Sequence, residues 1–323
     1  MTPPAGTPYH LAVMKAILIS RKTGAAAAGT LAAIALLSAC GSAGTASLAS
    51  GGRVEVVAAE NFWGSIVTQV GADHAHVTSV ISNPDTDPHS YEPTPQDGRA
   101  LAQAQYVVVN GAGYDPWAPK LVDANPSSTR RVLTIADLAG RKEGDNPHMW
   151  YSPSIVTRVI DRVAADLSAA DPADAAYFSQ QATNVKTVKL QQYNQLRATI
   201  AQTYAGVKVG ATESIFEDLA ADLKLDLITP PDYMRAISEG TDPTADDKST
   251  FDRQVSEHSI QVLVFNRQNS TPDIQALVDK ATAKGIPVVP ITETLDPATA
   301  GFQDWQTAQL AALQAALAKA TGH

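Results

Sequence analysis

The sequence predicts an α/β protein built from two similar lobes with mostly parallel sheets, joined by one long backbone helix. Three observations carry this. Short β-branched runs alternate with amphipathic helical segments over residues 53–135. The same alternation returns over residues 207–320. Between them, Ala173 to Tyr204 is rich in Gln, Ala and Lys and contains no Gly or Pro, the composition of an uninterrupted connecting helix.

In order, Arg53 to Ala59 reads as a strand, and Glu60 onward as a helix closing on Gly71. Ala75 to Ile81 is a second strand, followed directly by a Pro- and Asp-rich loop, then a short helix from Pro95 to Gln103. Tyr106-Val-Val-Val-Asn110 is a buried strand, a helix is expected near Trp117–Asp123, and Arg131 to Ile135 is a further strand. Ser152-Pro153 is a helix start, Ser as N-cap and Pro in the first turn. That helix runs to Ala169 and breaks at Asp171-Pro172 before the long connection. In the second half, strands are expected at Val207–Ala211, Asp226–Pro230, Gln261–Phe265 and Ile286–Ile291, with helices at Ser214–Leu223, Thr244–His258, Pro272–Lys284 and Trp305–Ala320. Strands alternating with helices imply βαβ units whose functional loops lie at the strand carboxyl ends.

Residues 1–39 contain Lys15, Arg21 and Lys22, no acids, and an apolar Ala-rich run, the layout of a secretory leader. The run is too short and interrupted to span a bilayer. It ends in Leu37-Ser38-Ala39-Cys40-Gly41, which looks like a lipobox, and Cys40 is the single cysteine. Cleavage before Cys40 and lipidation of its sulfur follow as expectations. Residues 40–52 would then be the anchor and a flexible small-residue spacer, 53–151 the N-terminal lobe, 152–204 the helical connection and 205–323 the C-terminal lobe. Met14 is a more natural start than Met1. Removing three bases with the leader leaves 21 basic and 33 acidic residues and a net charge of −12, which disfavours nucleic acid.

Two of the 7 histidines stand in proline-framed stretches: His89 in Asn83-Pro-Asp-Thr-Asp-Pro-His-Ser-Tyr-Glu-Pro and His148 in Asn146-Pro-His-Met-Trp-Tyr-Ser-Pro. Proline stiffens each loop, and a pre-ordered imidazole loses less entropy on binding a metal. Glu213 and Glu293 are placed comparably, each just past an expected strand. Two imidazoles and two carboxylates suit a divalent transition ion. Each residue also has a plainer reading, the histidines as loop residues bonded to backbone or solvent, Glu213 as a complement to a helix dipole and Glu293 as a solvated acid. His74 and His76 read as surface residues, and His258 and His323 lack ligand-like context.

At these motifs the chain resembles the lipid-anchored zinc/manganese solute-binding proteins of bacterial ABC importers, the cluster A-I or TroA-like family. The likeness rests on the two histidine stretches together with Gly210-Ala-Thr-Glu-Ser-Ile-Phe-Glu-Asp-Leu-Ala and Gly285-Ile-Pro-Val-Val-Pro-Ile-Thr-Glu-Thr-Leu, and extends over the whole mature chain. It implies a TroA-like solute-binding fold, no enzymatic activity, and a monomer anchored outside the cell membrane. It also implies capture of Zn2+ or Mn2+ between the lobes and delivery to a permease with a separate ATPase; the chain itself lacks GxxxxGK[ST]. His89 and His148 match the family's two N-lobe ligands. Glu213 falls where members carry histidine or glutamate, and Glu293 near where they usually carry aspartate. The His-rich loop common in zinc binders is missing between Gly111 and Asn146, and with the carboxylates this leans towards manganese. The rivals are a lipid-anchored metallohydrolase, with Asp85 or Asp87 as base but no His-Glu-x-x-His helix, and an adhesin or organic-solute lipoprotein with structural histidines.

Overall fold

The computed structural model of the protein describes residues 52–84, 86 and 91–322. The leader, Cys40, most of the spacer, Asp85, Asp87 and His89 lie outside the described residues, as does His323. No helix among the described residues is long and apolar enough to cross a membrane.

The N-terminal half runs β1 (Val54–Glu60), α1 (Asn61–Gly71), β2 (Ala75–Ile81), α2 (Pro95–Gln103), β3 (Tyr106–Val109), α3 (Trp117–Ala124), β4 (Arg131–Thr134) and α4 (Ile135–Ala139). Its sheet has the order β2-β1-β3-β4, with every pair parallel. Alternate residues of β1 and β3 point to opposite faces, as the period of a strand demands. Val56, Ala58, Tyr106 and Val108 pack towards α1 and the later helix Pro153–Ala170, while Val57, Ala59, Val107 and Val109 pack beneath α2 and α3.

The C-terminal half runs β5 (Lys208–Ala211), α8 (Glu217–Asp222), β6 (Asp226–Leu227), α9 (Pro231–Ser238), α10 (Ala245–Ser256), β7 (Val262–Asn266), α11 (Pro272–Ala283), β8 (Val288–Ile291) and α12 (Phe302–Thr321). The order β6-β5-β7-β8, again all parallel, repeats the first sheet's topology. Gly210 is needed in β5 for space: a Cβ there would come within 2.8 Å of Ile260 and 2.9 Å of Phe251. The strand expected over Asp226–Pro230 is only two residues long, because the Thr229 hydroxyl takes the bond from the Ala211 amide instead (3.0 Å). The short helices α4 and α9 are additions to the sequence reading; eight residues or fewer give too little periodicity to see.

Between the halves, α5 (Pro153–Ala170) is followed by a turn at Pro172–Asp174, then α6 (Ala175–Asn184) and α7 (Gln191–Thr203). The sequence predicts one unbroken helix here; the structure inserts a π-helical turn at Val185–Lys189. The cause lies in the spacing of apolar residues. Val185 and Leu190 are both buried (3% and 4% exposed) yet five positions apart, a spacing an α-helix would place about 140° apart around its axis. The π turn closes Leu190 N–H onto the Val185 carbonyl (2.9 Å) and returns both to one face. Val188, three positions on from Val185, is left 61% exposed.

The larger of two apolar clusters runs continuously through both halves, from Val56 and Trp150 through Tyr193 to Val264 and Leu313. Polar bonds cross between them as well: Ser65 Oγ accepts from the Phe302 amide (3.0 Å) and Asn61 Oδ1 from the Leu295 amide (3.1 Å).

Candidate metal centre

Parallel strands send their carboxyl ends to one side of each sheet, and in both lobes those ends meet at the junction between them. Glu60 ends β1, Asn110 follows β3, Glu213 lies two residues past β5, Asn266 ends β7 and Glu293 lies two residues past β8. All are buried, between 0% and 5% exposed.

The structure brings His148, Glu213 and Glu293 together. One ligand atom from each lies within 4.8 Å of the others, and the three are 1%, 1% and 5% exposed. Of the other predicted site residues, His89 and the lipidation site Cys40 fall outside the described residues.

His148 is held from below. Met149, Trp150 and Tyr151 form a fully buried 3-10 turn directly after it, and Trp150 stacks on Phe62 at 4.1 Å. Asn110 Nδ2 donates to the Pro147 carbonyl (2.9 Å), fixing the peptide before the histidine. The imidazole orientation comes from Asn146. Its Nδ2 donates to the Ser214 carbonyl (2.7 Å) and to Glu217 (2.9 Å), which identifies Oδ1 as the acceptor facing His148. His148 Nδ1 therefore carries the proton and donates to Asn146 Oδ1 (2.8 Å), and the lone pair lies on Nε2. An imidazole fixed in this tautomer by a second partner is the usual arrangement of a metal-ligating histidine.

The carboxylates come from the C-terminal lobe. Asn266 Nδ2 donates to both, to Glu293 Oε1 at 2.7 Å and Glu213 Oε2 at 3.2 Å, so one amide offsets part of the repulsion between two anions. Tyr114 Oη, from the N-terminal lobe, donates to Glu293 Oε2 (2.8 Å). Burial pushes the Tyr114 phenol's pKa well up, with neighbouring Glu293 and Glu60 adding to it, so it stays a donor. The Glu293 backbone is clamped as well: Gln268 Oε1 accepts from the Thr294 amide (3.0 Å), Tyr151 Oη donates to the Thr292 carbonyl (2.8 Å), and Trp305 Nε1 donates to Thr292 Oγ1 (2.8 Å).

Further acids surround the centre. Glu60 is fully buried, and desolvation, reinforced by the neighbouring Asp115 charge, raises its pKa well above the carboxylate range. Asp115 is raised by burial too, opposed by bonds from the Gly111 (2.8 Å) and Asn110 (2.7 Å) amides. Glu217 is raised by burial against the opposing bond from Asn146. Beside it, Arg141 makes a two-pronged ion pair with Asp218 (2.8 and 2.6 Å), tying the loop ahead of His148 to the opposite lobe.

Sequence reasoning did not identify Tyr114, Asn146 or Asn266 as parts of the centre. For Asn266, and for Asn110 beneath His148, a signal existed: Tyr106-Val-Val-Val-Asn110 and Val262-Leu-Val-Phe-Asn266 each end a buried apolar strand on an amide. A polar group there needs a buried partner.

Comparison with known proteins identifies the family and the fold. The family model described as "Zinc-uptake complex component A periplasmic" matches residues 56–316. The manganese-binding lipoprotein MntA of Halalkalibacterium halodurans is 28% identical over 149 residues, 45% of this chain and 49% of that relative. The high-affinity zinc uptake system protein ZnuA of Bacillus subtilis is 22% identical over 270 residues, 77% of this chain and 82% of that protein. The chain thus spans about half the length of the manganese-binding relative it matches and most of the zinc-uptake relative. Among solved structures, the Mn-bound periplasmic metal binding protein of Candidatus Liberibacter asiaticus superposes with a TM-score of 0.68 at 17% identity, covering 81% of this chain and 98% of that one. The fold is therefore that of periplasmic metal-binding proteins, and neither the metallohydrolase nor the adhesin reading finds support. With its matched region covering both lobes and the junction between them, the chain belongs to the ZnuA family, zinc-uptake complex component A periplasmic, a family of substrate-binding proteins and not of enzymes.

Proposed function

We propose that this protein captures a divalent transition ion, Zn2+ or Mn2+, between its two lobes and delivers it to the permease of an ABC importer driven by a separate ATPase subunit. The observation that carries this is the convergence of His148, Glu213 and Glu293 at a buried lobe junction, with the His148 tautomer set by Asn146. His89 is the proposed fourth ligand, and lipidated Cys40 the proposed anchor, holding the protein as a monomer outside the cell membrane. Two carboxylates suit Mn2+ better than an all-nitrogen site would, so we favour manganese as the imported ion, although Zn2+ binds the same donors more tightly on intrinsic affinity.

Capture involves no bond chemistry. A neutral imidazole and ionised carboxylates exchange their hydrogen-bond environment for the ion, and any proton they hold is released. The shared core and cross-lobe bonds oppose a wide hinge opening, so loading proceeds through small shifts of loops or lobes.

Calorimetric titration of metal-stripped protein with Mn2+ and Zn2+ tests the reading. One tight site per chain, lost in His148→Ala, is expected. An isotherm without binding for either ion would overturn it.

A further inference from the structure

His74 and His76 look alike in the sequence, and the structure separates them. His76 is exposed and pairs with Glu55 (2.8 Å). His74 is half-buried at the entrance to β2, its ring against Tyr177 (4.4 Å between centroids) with the buried Phe178 edge-on behind (5.9 Å). Its Nδ1 lies 2.7 Å from Asp174 Oδ2. Asp171 completes the group, with one ligand atom from each of His74, Asp171 and Asp174 within 4.8 Å of the others.

A hydrogen bond accounts for His74 and Asp174 and leaves Asp171 over. Asp171 caps the Pro172–Asp174 turn through Oδ1, accepting from the Ala173 amide (3.3 Å). A cap needs one oxygen and would serve equally well as asparagine. The placement of a second carboxylate beside the His74–Asp174 contact is what a three-ligand metal site requires: one imidazole nitrogen and two carboxylate oxygens on stiff turns, with solvent completing the shell.

We propose that His74, Asp171 and Asp174 form a second divalent-metal site, separate from the interlobe centre and weaker than it. The donors suit Zn2+ and neighbouring ions such as Co2+ or Ni2+. Partial exposure makes the site weaker, since water competes for the ion and the His74–Asp174 contact must open to admit it. Distance keeps the two sites distinct. α5 begins five residues after His148 and ends one residue before Asp171, and its 18 residues cover about 27 Å. His74 stands at the amino-terminal edge of its sheet, the interlobe ligands beyond the carboxyl edges.

The test titrates the full chain, stripped of metal and carrying His148→Ala, with Zn2+. A residual binding event of one equivalent is expected. Asp171→Asn, which keeps both the cap and the His74–Asp174 pair, should weaken that event by about tenfold or more. His74→Ala should abolish it. Absence of a residual event, or one that Asp171→Asn leaves unaltered, overturns the proposal. Failure of the interlobe reading is seen separately, as an unmodified chain that His148→Ala does not weaken.

Discussion

Asn110 and Asn266 occupy equivalent places in the two lobes, one following and one ending the third strand of its sheet, both fully buried. Each directs its side-chain amide to the segment that carries a proposed ligand. Asn110 holds the peptide ahead of His148, and Asn266 holds Glu213 and Glu293 themselves. The repeated topology thus delivers the same kind of support from both sides of the junction.

Asn266 matters most when no cation is present, because it is then a main offset to two buried carboxylates close together. Asn266→Leu should cost the metal-free protein about 1–3 kcal/mol, in line with leaving buried acceptors unsatisfied. Added Zn2+ or Mn2+ should raise the variant's Tm by more than it raises that of the unmodified protein. Scanning calorimetry with and without metal reads both numbers, and an equal gain in the two proteins would contradict this role.

Asn146 acts on affinity through His148. Asn146→Ala removes the acceptor that keeps the proton on Nδ1, and should weaken Zn2+ or Mn2+ binding by about 10- to 100-fold while the fold stays intact. Competition titration against a chelator of known affinity measures the change, with circular dichroism as the control on folding.

Metal affinity should also depend on pH. Ligation requires a neutral imidazole, so binding should weaken progressively below about pH 6.5, the reference value for histidine, with proton release on binding increasing over the same interval. Calorimetry in buffers of different ionisation enthalpy reports the protons directly, and an affinity flat from pH 7.5 to 5.5 would argue against histidine ligation.

Glu60 gives a pH effect on stability with the opposite sense to that of an ion-paired acid. Its folded pKa is raised by burial, and by Asp115 in second place, so above about pH 4.3 the unfolded chain releases a proton that the folded chain retains. Folding then binds a proton, and this group's contribution falls as pH rises towards the folded pKa. Glu60→Gln removes that penalty. The variant should gain Tm at pH 7 relative to the unmodified protein and gain less, or nothing, at pH 4; Tm measured across that range decides it.

The two-lobed parallel architecture was legible because each strand is a short β-branched run bounded by turn residues, and periodicity is a local property. His148, Glu213 and Glu293 were legible for a related reason: each sits a fixed step beyond such a run or inside a proline frame. Tyr114 was not, since its partner Glu293 lies 179 residues away and nothing near Tyr114 in sequence points to it. Asn146 was read only as part of a motif; its bonds to Ser214 and Glu217 exist only once the lobes are packed. The π turn escaped because composition favours a helix throughout, and only the five-residue step from Val185 to Leu190 opposes it.

That turn gives the connecting helix the quality of a vernier. The chain carries one residue more than a uniform helix would need to present Val185 and Leu190 on the same side, and the wider loop absorbs the surplus. Val185 and Leu190 therefore both reach the core shared by the two halves, and the helical connection continues through the surplus residue without a break.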